Sequence, residues 1–373
     1  MNTVPKSIVL ACGGTGGHIY PALAIAEAFR ERFPQVNIHF AGAKGGMENR
    51  IVPQAGFSIT PLWISGFYRP LNLRNLWRNL SLPAKLITSR RQARALLQDH
   101  RPDIVIGTGG YASFPVLRAA NGPKFFTVLQ EQNAQPGLAN RRLAAAADLI
   151  CLGNAAASKH FPEEKTVYTG NPVRSSILQG DARAFRQKYN LKEHLPTALL
   201  TGGSLGAASL NRAIETHLQQ LAEAPLQLVW QCGKIYYQSL KNHLQLPDNV
   251  RLLPYLEHMP DAYAIADLVI ARAGAITLAE LEALRLPAIL VPSPNVTDDH
   301  QTKNAKSLVA DQVARLVKDR DAEAHLVPQL LELVQDPAAL KTMRTQWEQR
   351  PTPLGTKLMV DKMLEEWEKF RKL

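Results

Sequence analysis

Two glycine-dense turns constrain this chain more than any other feature in it. The stretch ACGGTGGH, residues 11–18, follows the short apolar run Ser7–Cys12 and leads into the helix-like segment Pro21–Phe29, whose proline suits a first turn. The stretch GGSLGA, residues 202–207, follows the apolar run Thr197–Leu200 and leads into helix-like Ser209–Leu221. A third turn, carrying Gly107, Gly109 and Gly110, follows Asp103–Ile106. Between a strand and a helix N-terminus, backbone N–H groups point outward and the helix dipole adds partial positive charge. Such a turn is an anion site. Gly13, Gly14, Gly16 and Gly17 let that backbone approach a ligand with no Cβ in the way.

The rest of the chain repeats the same grammar. Val36–Ala41 and Phe125–Leu129 read as further strands in the first half. Leu226–Gln231, Val250–Leu253, Leu268–Ala271 and Ala288–Val291 do so in the second. The pattern predicts an α/β protein with two Rossmann-like, doubly wound parallel-sheet domains facing across a cleft. A chain of 373 residues is comfortable for two domains. The join is expected near GNPVR, 170–174, giving domains 1–172 and 173–350. The amphipathic tail Lys357–Phe370, in segment 351–373, is expected to pack back on the first domain. No apolar run approaches the roughly 20 residues that span a bilayer, and no secretory leader is expected at the N-terminus. Cys12, Cys151 and Cys232 form no C-x-x-C pair, which favours reduced thiols over a disulfide framework.

A dinucleotide site fits poorly. The first turn reads Gly14-x-Gly16-x-x-Ile19, without the third glycine of the fingerprint. The second strand runs into AGAKGG, with no carboxylate before Glu48 to take a ribose diol. Both features count against NAD, while Lys44 leaves a phosphorylated nicotinamide cofactor open.

The ordered motifs GGTGGHIYPALA, GGYASFP, EQNAQPG, GNPVR, GGSLGA, RAGAITLAEL and DDHQTKNA run from Gly13 to Ala305. Together they resemble the MurG family of bacterial peptidoglycan glycosyltransferases. That resemblance implies the GT-B fold and an inverting transfer of N-acetylglucosamine from UDP-GlcNAc to the lipid-linked MurNAc-pentapeptide, lipid I. It implies a donor site in the second domain, formed by Ala275, Ile276, Thr277, Leu278, Ala279 and Glu280, with Leu256 lining the uracil pocket. Ser204 and Arg174 are implied at the diphosphate, Gln301 and Asn133 at sugar hydroxyls, and Thr15, Gly16 and Gly17 closing over the donor. Two positions depart from the family pattern: Gln130 stands where HEQN has histidine, and Ala273 where RSGA has serine. An amide does not titrate, so no proton transfer is assigned to position 130.

His18 follows the glycine turn directly, and because histidine as a residue type titrates near neutral pH it is the candidate base for the acceptor hydroxyl. No metal or cofactor is called for. DRD, 319–321, has the spacing of a metal motif but sits in the charged stretch KDRDAE and reads as a solvated loop. The alternatives are another GT-B UDP-sugar enzyme, such as a UDP-GlcNAc epimerase, or a non-catalytic nucleotide-sugar binder.

The net charge of +11 asks for an anionic partner. Between Gly66 and Gln98 there is no acidic residue, while Arg69, Arg74, Arg78, Lys85, Arg90, Arg91 and Arg94 all fall there. Leu73, Leu76, Trp77 and Leu80 share one helical face among them. Apolar anchors ringed by cations suit an anionic membrane surface, as a lipid-linked acceptor requires. No nucleic-acid motif accompanies them. The expected location is peripheral, on the cytoplasmic face of the bacterial inner membrane.

Overall fold

The computed structural model describes residues 4–66, 79–203, 205–296, 299–350 and 355–372. The chain divides into two compact units, Met1–Arg174 with Leu354–Leu373, and Ser175–Pro353.

The first unit holds seven parallel strands: β1 (Ser7–Ala11), β2 (Asn37–Ala43), β3 (Ser58–Leu62), β4 (Ile104–Gly107), β5 (Phe126–Glu131), β6 (Leu149–Leu152) and β7 (Thr166–Tyr168). Their order is β3-β2-β1-β4-β5-β6-β7, so the winding reverses between β1 and β4. Side chains alternate faces along a strand, and β1 shows why its run is apolar throughout. Ile8 and Leu10 enter one buried cluster with Phe29 and Phe40, while Val9 and Ala11 enter another with Leu97 and Val116. Helices α1 (Gly16–Arg32), α2 (Glu48–Gln54), α3 (Leu82–His100), α4 (Ser113–Ala120) and α5 (Leu138–Leu143) complete the unit. The C-terminal helix Gly355–Phe370 joins them, placing Met359, Met363 and Trp367 in the cluster that α1 covers. Its start is pinned by a reciprocal pair: Val173 N–H donates to Thr356 Oγ1 at 2.9 Å, and that hydroxyl donates to the Val173 carbonyl at 2.7 Å.

The second unit repeats the plan with six parallel strands: β8 (Thr197–Thr201), β9 (Gln227–Gln231), β10 (Val250–Leu253), β11 (Leu268–Ala271), β12 (Ala288–Leu290) and β13 (Ala314–Leu316). Their order, β10-β9-β8-β11-β12-β13, reverses between β8 and β11. Trp230 fills the core with Leu200, Leu326 and Leu330.

Two helix expectations need correction. α1 opens at Gly16 rather than Pro21, so the proline lies inside the helix. A proline ring crowds the carbonyl four residues back, and here that residue is the glycine at 17. The single helix expected over Ser209–Leu221 is two, Ala208–Thr216 and Leu218–Glu223. It breaks at His217, whose ring pairs with the Ala213 carbonyl at 2.9 Å.

One pair in the first sheet carries a pH prediction. His39 on β2 stacks on His100 at 4.0 Å, and its Nε2 meets Thr60 Oγ1 at 2.8 Å. Burial first, then the neighbouring His100, lowers its pKa from 6.5 to about 4. The unfolded chain therefore binds a proton below pH 6.5 that the folded chain refuses until about pH 4, and stability falls as pH drops through that window. Discounted for partial exposure, the loss between pH 7 and pH 5 is about 1 kcal/mol, or roughly 3 °C in Tm. His39→Gln is expected to remove that slope in melts recorded across the range.

Candidate active site

In an open α/β sheet, ligands sit beyond the carboxyl ends of the strands where the order reverses. Both glycine turns lie at such points. In the first unit the β1 turn meets the β4 turn, and His18 is what they enclose. Thr15 is the N-cap of α1 but makes no capping bond; its hydroxyl lies 3.2 Å from His18 Nδ1. The same nitrogen lies 3.2 Å from the Gly13 carbonyl oxygen. A carbonyl only accepts, so the Gly13 contact is a hydrogen bond when Nδ1 carries the proton, and in that tautomer Nε2 is the nitrogen left to accept. Across the junction, Thr108 Oγ1 donates to the His18 carbonyl at 2.7 Å. Gly109, at φ +98°, must be glycine: a Cβ there would stand 2.7 Å from His18 Cδ2 and 3.0 Å from Nε2. The first turn of α1 contains no acidic residue. The amides of Gly16 and Gly17 precede helical bonding and suit an anion.

At the end of β5, Gln130 is fully buried in an amide network. Its Nε2 donates to Asn171 Oδ1 at 3.2 Å, Gln132 Nε2 donates to its side-chain oxygen, and Asn171 Nδ2 donates to the Gln132 carbonyl at 3.0 Å. An amide here bonds as donor and acceptor at once, a structural part that no proton transfer requires. Next to it, Glu131 is 2% exposed and accepts from Asn133 N (3.0 Å), Gly137 N (3.1 Å) and Asn140 Nδ2 (2.9 Å). Burial raises its pKa against those bonds. The Asn133 side chain also reaches this carboxylate, at 3.4 Å, so Glu131 fixes the loop that presents it. Sequence reasoning passed over Glu131, whose burial between Gln130 and Gln132 appears only in the folded chain. Arg174 ends the first unit with its guanidinium 5.3 Å from the Tyr20 ring on α1, close enough to Glu27 to lower the pKa that burial raises there.

In the second unit the β8 turn rests on a scaffold the motifs did not reveal. Thr201 Oγ1 donates to Gln231 Oε1 at 2.6 Å, and Gln231 Nε2 donates to the Gly203 carbonyl at 3.1 Å. Gly203, at φ +81°, has open space where a Cβ would stand. Ser204 lies outside the described residues. Beyond β11, Gly274 caps the helix Ala275–Leu284. Leu278 and Ala279 turn into the core, Ala275, Ile276 and Thr277 are half-buried, and Leu256 is buried at 7%. Glu280 is oriented from inside: the Tyr263 hydroxyl donates to its Oε2 at 3.0 Å. Burial and the Glu280 charge push the Tyr263 phenol well above its ordinary pKa, which keeps it a donor. Gln301 Oε1 accepts from Ser293 N at 2.8 Å and ties the following helix to the β12 loop. Ala273, the second departure from the family pattern, is fully buried.

DRD is only partly the solvated loop expected: Arg320 is exposed, whereas Asp319 is engaged. Asp319 Oδ1 takes Arg272 Nη1 at 2.5 Å and the Ser209 hydroxyl at 2.5 Å, with both charged side chains largely buried. Arg272 directly follows β11, and its partly buried guanidinium is paired with the Asp319 carboxylate. Among the described residues there is no cluster of His, Cys, Asp or Glu able to hold a metal ion.

Two doubly wound sheets with glycine turns at both reversal points are the two halves of the GT-B fold, the class to which many glycosyltransferases belong. Residues 8–151 match the glycosyltransferase family 28 N-terminal domain, and residues 197–358 match the family 28 C-terminal domain. The UDP-N-acetylglucosamine–N-acetylmuramyl-(pentapeptide) pyrophosphoryl-undecaprenol N-acetylglucosamine transferase of Cytophaga hutchinsonii is 43% identical over 365 residues, covering 97% of each chain. The crystal structure of Acinetobacter baumannii MurG superposes with a TM-score of 0.74 at 29% identity, over 97% of this chain and all of that one. A UDP-N-acetylglucosamine 2-epimerase shares the fold, with a TM-score of 0.65 at 15% identity over 97% of each chain. The chain belongs to the MurG family of N-acetylglucosamine transferases.

Proposed function

We propose that the protein transfers N-acetylglucosamine from UDP-GlcNAc to the MurNAc C4 hydroxyl of undecaprenyl-pyrophosphoryl-MurNAc-pentapeptide, making lipid II for peptidoglycan. The observation that carries this reading is the 43% identity to the Cytophaga hutchinsonii transferase across 97% of both chains. The acceptor oxygen attacks the anomeric carbon, the bond from that carbon to the diphosphate breaks, and UDP leaves with the electron pair. His18 Nε2 takes the hydroxyl proton. The leaving diphosphate gains charge, which the helix N-termini after the glycine turns and the Arg174 guanidinium stabilise. Glu280, held by Tyr263, accepts from the ribose hydroxyls. Leu256 lines the uracil pocket beside Ala275–Thr277, and Thr15, Gly16, Gly17, Asn133, Ser204 and Gln301 complete the donor contacts.

The reaction needs no divalent metal in this reading, because the helix termini and arginine carry the leaving-group charge and Asp319 is engaged by Arg272. Release of UDP is expected to require the acceptor and to proceed within two-fold of its normal rate in excess EDTA. UDP release or sugar epimerisation without acceptor would point to a hydrolase or an epimerase.

The lipid-linked acceptor brings the protein to an anionic membrane surface as a peripheral protein on the cytoplasmic face; nucleic acid is not a partner. Among the described residues no helix is long and apolar enough to cross a membrane. Leu73, Arg74, Leu76, Trp77 and Arg78 lie outside the described residues. Leu80, Leu86 and Ile87 are 64%, 46% and 59% exposed, beside exposed Arg90, Arg91 and Arg94 on α3. Lys85 is turned inward, donating to Ser65 Oγ at 2.9 Å. Replacing Leu80, Leu86 and Ile87 together by serine is expected to cut co-sedimentation with anionic liposomes at least five-fold, at roughly 1 kcal/mol or more for the buried apolar area lost. UDP binding stays unchanged. Unaltered sedimentation would count against membrane contact at this face.

A further inference from the structure

The carboxylate that the sequence offers too late for a dinucleotide is buried directly beneath the first glycine turn. Glu48, the first residue of α2, is fully buried. Its Oε1 accepts from Ala43 N at 2.7 Å, at the end of β2, and its Oε2 accepts from Gly14 N at 3.3 Å. Three glycines make room for it, one in the β1 turn, one on β2 and one in the loop after β2. A Cβ at Gly13, Gly42 or Gly46 would stand 2.4, 2.5 or 2.4 Å from an atom of the Glu48 side chain. Its charge also adds to the burial that pushes the Cys12 thiol up. One edge of Glu48 lines a cavity of about 200 Å³ with Lys44, Ser65 and Tyr111.

The N–H that Glu48 grips belongs to the same peptide unit as the carbonyl that holds His18. Gly14 N–H donates to Glu48 Oε2, and the Gly13 carbonyl, on the opposite edge of that planar group, accepts from His18 Nδ1. We propose that Glu48 is a positioning residue for His18, acting through the Gly13–Gly14 peptide. The carboxylate fixes the plane of that peptide, the carbonyl then holds the proton on Nδ1, and Nε2 is kept as the accepting nitrogen. The arrangement does the work of the carboxylate in a Ser-His-Asp triad, with one peptide group interposed. Polarisation of the peptide by the buried charge strengthens its carbonyl as an acceptor.

This inference rests on His18 being the base, and the test separates the two. Glu48→Gln keeps the shape but gives one of the two amides an NH2 group to face. It is expected to lower kcat roughly ten- to a hundred-fold, with the KM for UDP-GlcNAc within two-fold. In the His18→Gln background the same change is expected to cost less than two-fold, because the residue it serves is gone. Equal losses from Glu48→Gln in both backgrounds, or a matching rise in donor KM, would overturn the proposal while leaving His18 in place. Full activity of His18→Gln would overturn the reading of the base itself. A measurement that needs no variant at position 48 uses 15N imidazole shifts in the wild-type protein, with His18 assigned by its loss in His18→Gln. The Nδ1–H tautomer is expected; an Nε2–H tautomer would contradict the relay.

Discussion

His18→Ala is expected to lower kcat about a thousand-fold, within the span that general acid–base catalysis supplies, while the KM for UDP-GlcNAc moves less than two-fold. The two halves of that result come from different atoms. The uracil and ribose contacts are assigned to the second unit, where Glu280 lies, and His18 belongs to the first. In the proposed mechanism the ring takes its proton at Nε2, with Nδ1 bonded to the Gly13 carbonyl. A base acts only as the acceptor hydroxyl attacks, so its removal shows in kcat and kcat/KM together. Steady-state assays with a lipid I analogue at saturating donor read this directly. A kcat within three-fold of wild type would remove His18 from proton transfer.

The complementary result is expected at Glu280. Glu280→Ala removes both acceptors offered to a ribose diol and leaves the fully buried Tyr263 hydroxyl without the partner that it now meets at 3.0 Å. The loss of hydrogen bonds from a charged acceptor is expected to lower kcat/KM for UDP-GlcNAc by about a hundred-fold, or roughly 3 kcal/mol. Most of this falls in KM. Some global destabilisation accompanies it, because an orphaned buried hydroxyl costs about 1–3 kcal/mol. Glu280→Ala/Tyr263→Phe is expected to recover melting temperature without recovering donor affinity. Recovery of both would make Glu280 a packing residue with no part in the donor site.

The strands around the two reversal points were legible because each is buried on both faces and therefore apolar without interruption, as SIVLA, IVIG and TALLT show. The strands that escaped are the peripheral or compositionally masked ones. SITPL is an edge strand with polar residues and a proline, TVY and ARL are three residues long, and LICL continues an alanine-rich stretch. At the site, the glycine turns announced themselves because backbone that approaches a ligand must shed its side chains. Their supports did not. Glu48, Glu131 and the Thr201–Gln231 pair are polar residues made structural by burial, and Asp319 by its pair with Arg272; both follow from tertiary contacts far away in sequence. DRD shows the consequence: the spacing suggested a metal motif or a solvent loop, whereas the deciding fact is the arginine 47 residues away that Asp319 pairs with.

This chain is expected to form a glycosidic bond with inversion at the donor's anomeric carbon. Purified protein, 13C-labelled UDP-GlcNAc and a lipid I analogue, followed by NMR, test it in one experiment. The expected product is a β-linked N-acetylglucosamine on the MurNAc C4 oxygen, appearing with one UDP per disaccharide. An α-linked product, or UDP and free or epimerised sugar with no disaccharide, would contradict it.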